Sequence, residues 1–208
     1  MSLRLLPFRQ YNEHDVVNIF ALETGLALDS TTGVGQGDQG VFVKVSNGNF
    51  DQDTITYGSD SYLGKTDYPF VGGDMYPTNP LTLTGAGSGD LPLGITLNQT
   101  AKNDENGEKL LYNPTKKEEL QAVLPGQSVP VATHGIFTLS SAGYKGATSI
   151  YTVGKGIKIA TGTADKGKIT GADATGVASF GTVIGTGSRS SKGGLTDQFA
   201  GDYIIIKF

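Results

Sequence analysis

The chain has 208 residues, of which 37% are hydrophobic and 17% charged, with a net charge of −4. An acidic balance lacks the basic footprint that grips phosphate backbones, so nucleic acid is not an expected partner. There is no cysteine, which excludes disulfide staples, thiolate zinc sites and cysteine nucleophiles. Thirty-one glycines, and no tryptophan, suit many short strands joined by tight turns.

Residues 1–15 read as an arm. Arg4, Phe8, Arg9 and Tyr11 mix charge with aromatics, and Pro7 opposes a helix. The apolar part of Met1–Pro7 is too short for a secretory signal. No apolar run approaches bilayer length, so the chain reads as soluble, made in the cytoplasm and without a membrane partner. Val16–Leu22 follows as a strand, its β-branched residues outweighing a helical alternative. A glycine-rich loop at 29–40 leads into Val41–Val45, which alternates as a half-buried strand does. Asn47-Gly48 is a hairpin turn signal, with 53–57 as the returning strand. Between Asp60 and Pro80, Tyr62, Tyr68, Phe70 and Tyr76 lie among Gly, Asp and Pro. This is a long loop with aromatic anchors, a common form of interaction surface.

Leu81–Thr84 and Gly94–Leu97 are strands flanking a glycine patch at 85–89. Thr115 with Glu118 makes a capping box for one helix of two or three turns running to Leu124, stopped by Pro125-Gly126. Thereafter turn signals recur about every ten residues, as in sandwiches and barrels. Ser128–Ala132 and Gly135–Leu139 are expected to pair around Thr133-His134. Further strands are expected at 149–153, 156–160, 167–170, 179–184 and 202–208. The last of these, Tyr203-Ile204-Ile205-Ile206-Lys207-Phe208, has the strongest strand chemistry in the chain. It is expected to lock the tail into a sheet.

The motifs of reactive chemistry are weak. Gly35-Gln36-Gly37-Asp38-Gln39-Gly40 spells GxGxxG, but a strand follows it where a phosphate cradle needs a helix. His14 and His134 are the only histidines. His134 falls in a turn, as a turn or interface residue before a catalytic base. Asp51, Asp53 and the Asp104–Gly107 run do not complete a calcium loop, and read as solvated turns. Arg189 and Lys192, among serines 188, 190 and 191, form a small basic hairpin tip. No cofactor, metal or active-site constellation is expected.

The second half resembles a known family. Pro125–Phe137, Val153–Ile159, Lys168-Ile169-Thr170, Phe180–Gly185 and Tyr203–Phe208 follow one another as in the head decoration, or capsid cement, proteins of tailed bacteriophages. Gly94–Leu97 fits an earlier strand of that family, whereas Gly154-Lys155-Gly156 departs from its usual Gly-Asp. The resemblance covers about residues 91–208. It implies an all-β protein without catalytic activity, a β-barrel, β-tulip-like or sandwich fold with one short helix and an extended N-terminal arm. The division expected is an arm (1–15), a β-rich segment with the aromatic loop (16–90) and the decoration-like domain (91–208). It further implies a structural virion protein on the capsid exterior that bridges major capsid subunits, as a trimer or dimer at a local symmetry axis. The residues suited to gripping a capsid by strand addition are Arg4, Leu6, Phe8, Arg9 and Tyr11, followed by Tyr62, Tyr68, Phe70 and Tyr76. The alternative is a carbohydrate- or receptor-binding β-sandwich from a virion fibre, with tyrosines stacking on sugars. A hydrolase built around His134 is a third reading.

Overall fold

A computed structural model describes residues 4–21, 39–47, 81–101, 104, 106–124, 128–171, 179–191, 197 and 199–208. Among the described residues the chain is all-β with one short helix. In order, the strands are β1 (Leu5–Gln10), β2 (Val16–Ala21), β3 (Phe42–Asn47), β4 (Leu81–Gly85), β5 (Gly94–Thr96) and β6 (Gln99–Thr100). Helix α1 (Pro114–Glu119) precedes β7 (Ala122–Val123), β8 (Ser128–Ala132), β9 (Ile136–Ser140), β10 (Gly156–Ile159), β11 (Ile169–Gly171), β12 (Gly181–Arg189) and β13 (Gly201–Lys207).

Six strands form an antiparallel sheet in the order β1-β9-β13-β12-β10-β11. Five others, β2-β4-β3-β5-β8, pair round a closed cycle. That cycle is shallow, because its parallel β2–β4 seam holds only Phe20↔Thr82 and Ala21↔Leu83. Strands β5 and β8 complete the ring begun by β2, β3 and β4, so residue 90 is no boundary between sheets.

The terminal strand is central to the sheet. Ile204 and Ile206 are fully buried, while Tyr203 and Ile205 are half-buried on the other side. This is the period of two that a strand imposes. The inward side chains meet Phe137, Leu139, Ile157, Ile169 and Val183, and close on Phe42 and Ile95 from the ring. Four rings join the two layers. Phe208 lies 5.2 Å from Phe42 and 5.3 Å from Phe137, and Phe180 lies 5.2 Å from Phe42. A second core of Val41, Val43, Leu83, Val123, Val129 and Val131 fills the ring.

Three expectations are corrected. Strands β8 and β9 do not pair with each other. The backbone N–H of Thr133 donates to Asp15 O, and Gly135 exchanges both backbone bonds with Phe208. The two residues on either side of His134 therefore hand the chain from the ring to the sheet. Helix α1 is shorter and earlier than expected. Pro114 opens it, as its fixed φ favours, and Gln121, at φ 48°, follows it in the left-handed region. Extended backbone then sends Val123 into the ring core and Ala122 and Leu124 into a third cluster around Leu110. A helix could not split those neighbours. The expected strand at 149–153 is instead a 3-10 turn, Thr148–Ile150, followed by the buried Tyr151. The Tyr151 hydroxyl shares its proton between the carbonyls of Lys145 and Ile169, at 2.8 and 2.9 Å.

Candidate functional site

The expected arm is extended but not free. Leu5 pairs with Leu139, Arg9 with Phe137 and Gln10 with Ile136, making residues 5–10 the edge strand of the large sheet. Three residues of β1 oppose one of β9 between the first two pairs, so a bulge holds Leu6, Pro7 and Phe8. Proline is tolerated there because an edge bulge asks for no ladder donor. The bulge buries Leu6 and leaves Phe8 60% exposed. Arg4 is 3% exposed, and its carbonyl accepts from Ser140 N–H. It is a buried residue of the chain's own fold, which corrects its assignment as a surface contact. Tyr11 is half-buried and stacks on Phe137 at 5.8 Å, so it belongs to the core margin. Arg9 is exposed. Tyr62, Tyr68, Phe70 and Tyr76 lie outside the described residues, as do the 53–57 strand, Asp51 and Asp53.

Leu6 and Phe8 are joined by residues that sequence reasoning left in the scaffold. With Pro7, Thr138, Arg189, Phe199, Tyr203 and Ile205 they line a groove of about 450 Å³ on the outer face of the sheet. Gly185 and Gly187 of β12 stand opposite Ile205 and Tyr203. A Cβ on Gly187 would sit 2.5 Å from Tyr203 Oη, so the missing side chain is what lets the Tyr203 ring lie across β12. Ile184 stands in a second bulge, its side chain 43% exposed. The Arg189 guanidinium lies 6.0 Å from the Phe199 ring and 3.4 Å from Asp197. The basic hairpin tip expected around Arg189 is thus part of the same surface. One available signal was missed: Tyr203, Ile205 and Lys207 share a parity, so the terminal strand itself announces a half-apolar outer face.

The histidines are elsewhere. His14 is exposed in a 3-10 turn, its backbone N–H bonded to Asn12 Oδ1. His134 is exposed on a wide cleft of about 790 Å³, with Lys44, Asp90, Phe180 and Phe208. Its Nδ1 is 3.2 Å from Thr133 Oγ1, which donates its own proton to Asp15 O at 2.9 Å. Both oxygens of Asp90 meet Lys44 Nζ, at 2.9 and 3.0 Å. Burial pushes the Asp90 carboxyl upward, but the Gly87 N–H and Lys44 outweigh it and hold the pKa below the usual range. Asp104 accepts from the N–H groups of Asn106 and Glu108, a turn held by its own side chain. Among the described residues, no cluster of three His, Asp or Glu could hold a metal ion, and no helix is long and apolar enough to cross a membrane.

Comparison with known proteins finds no matching family model, no matching curated protein and no matching solved structure.

Proposed function

We propose that the chain is a structural virion protein that binds the outer surface of a tailed-phage capsid and braces neighbouring major capsid subunits. Two things support the reading: the order of motifs across residues 91–208, and the outer face of the large sheet. The face is the observation that carries it. Phe8 stands 60% exposed beside Tyr203 and Ile205, and Ile184 in the β12 bulge is 43% exposed. Adjacent apolar side chains left in water mark interaction surfaces. Attachment through a sheet face replaces attachment through a free arm, since β1 is committed to β9. Repetition on a symmetric shell multiplies a modest single contact, so a trimer or dimer at a local symmetry axis fits the role. The proposed role is adhesion, with no cofactor and no reaction.

The test is sedimentation with shells of the phage that encodes the chain, both expanded and unexpanded. The protein is expected to pellet with expanded shells, and the double variant Phe8→Asp, Ile184→Asp to remain in the supernatant while still folded. Failure of the unaltered protein to pellet with expanded shells overturns the proposal.

A further inference from the structure

The outer face is not uniformly apolar; the charges that its described strands carry there have one sign. Register places Lys207 beside Thr182 and Ile136, on the side opposite Ile206. Lys158 lies between the inward Ile157 and Ile159, so it shares that outer side. Arg189 closes the groove at the other end. No Asp or Glu occupies β1, β9, β10 or β12. Asp202 of β13 has the parity of Ile204, and accepts from Thr148 Oγ1. Among the described residues, Asp197 is the one carboxylate paired with Arg189. It is 3.4 Å from Nη2, a single contact to a group that carries five donors.

The groove also holds an unmet polar group. Thr138 lies on β9 opposite Ile205 and is 4% exposed, yet among the described residues its Oγ1 has no hydrogen-bond partner. Buried hydroxyls are normally satisfied, and each exception asks for an explanation. A backbone or side-chain group entering the groove would supply one.

We propose that this groove binds an extended segment of a partner protein that presents apolar side chains beside carboxylates. The apolar side chains fill the space between Phe8, Phe199, Tyr203 and Ile205. A carboxylate meets Arg189, where the planar fork suits two parallel bonds. A polar group of the segment reaches Thr138. A second copy of this chain is the poorer occupant. Face-to-face packing of identical sheets would set Lys158, Lys207 and Arg189 against their own copies, and like charges brought together oppose association. This deepens the capsid-binding reading by naming the chemistry of the surface that is gripped, and it rests on that reading only for where the partner is found.

The experiment is an NMR titration of the full chain with two probes, acetyl-Leu-Phe-Asp-Asp-amide and acetyl-Leu-Phe-Asn-Asn-amide. The acidic peptide is expected to give saturable shifts at Thr138, Phe199, Tyr203 and Ile205. The neutral one should bind about tenfold more weakly, with the gap closing at high salt as screening predicts. Arg189→Gln changes an exposed side chain. It should weaken the acidic peptide about tenfold, leave the neutral one unaltered, and keep the spectrum of the free protein dispersed. Equal binding of both peptides, no saturable binding, or shifts centred on the Lys44–His134 cleft would each overturn the inference. So would concentration-dependent dimerisation through this face, which favours the second copy. No shell is present in the titration. Peptide binding without shell binding would therefore sink the capsid reading alone.

Discussion

Replacing Phe208 by alanine probes the joint between the two layers. The Phe208 ring lies 5.2 Å from Phe42 in the ring layer, 5.3 Å from Phe137 in the sheet and 6.2 Å from Phe180. Phe42 and Phe137 are fully buried, whereas Phe208 is half-buried. Truncating a fully buried phenylalanine costs about 3–5 kcal/mol. Partial exposure lowers that figure, while the lost aromatic pairs, at about 0.5–1.5 kcal/mol each, keep it from falling far. The expected loss is about 3 kcal/mol at 25 °C. For a chain of this size that lowers Tm by about 6–12 °C. Alanine keeps the paired backbone bonds to Gly135, at 3.0 and 3.2 Å, so the change isolates the ring. Urea unfolding followed by circular dichroism gives the value from the midpoint shift at constant slope. Phe208→Leu should recover about half of the loss. A loss below about 1 kcal/mol for Phe208→Ala would mean that the aromatic joint does not hold the layers together, and the reasoning would fail.

Three further outcomes follow from the same geometry. Tyr151→Phe leaves the Lys145 carbonyl without its hydroxyl donor and should cost about 1–2 kcal/mol in urea; burial also pushes the Tyr151 phenol far above its ordinary range, so the native chain should show no phenolate absorbance from Tyr151 at pH 10. Asp165 accepts from Lys145 and Lys168, at 2.9 and 3.1 Å, and these bonds hold its carboxyl below the usual range. A carboxyl with a lowered folded pKa stabilises the fold above its unfolded value, about pH 3.9, and loses that contribution as pH falls through the folded one; Asp165→Asn should therefore flatten the acid limb of a stability–pH curve and lower the plateau at pH 7. Gly135 sits at φ 149°, and a Cβ there would lie 2.7 Å from Gln10 O and 2.8 Å from Phe137 Cε2. Gly135→Ala should cost about 2–4 kcal/mol by thermal melting, and a neutral outcome would remove the hand-over between layers from the account.

Local pattern carried the parts of this fold that local chemistry decides. Alternation in Val41–Val45 and the β-branched run Ile204–Ile206 appear as β3 and β13. Pairing partners were not legible, because they depend on distant residues. Thr133 and Gly135 look like a hairpin turn until Asp15 and Phe208 arrive to bond them. The capping box at Thr115 was outbid by Pro114 and by the pull of two separate cores on Val123 and Leu124. The same logic governs the surface. Leu6 and Phe8 were visible as apolar residues in need of a partner. Arg4 was misplaced, since its burial follows from the pairing of β1 with β9. Thr138, Arg189, Phe199 and Tyr203 come together only through the register of three strands and a hairpin, which no spacing along the chain encodes.

The most direct measurement is a density map of shells carrying the bound protein, resolved well enough to orient its two layers. The account predicts that the outer face of the six-stranded sheet, with Phe8, Ile184, Tyr203 and Arg189, lies against the shell, and that the ring points away. A map in which that face meets solvent while the ring or the Lys44–His134 cleft touches the shell would contradict it.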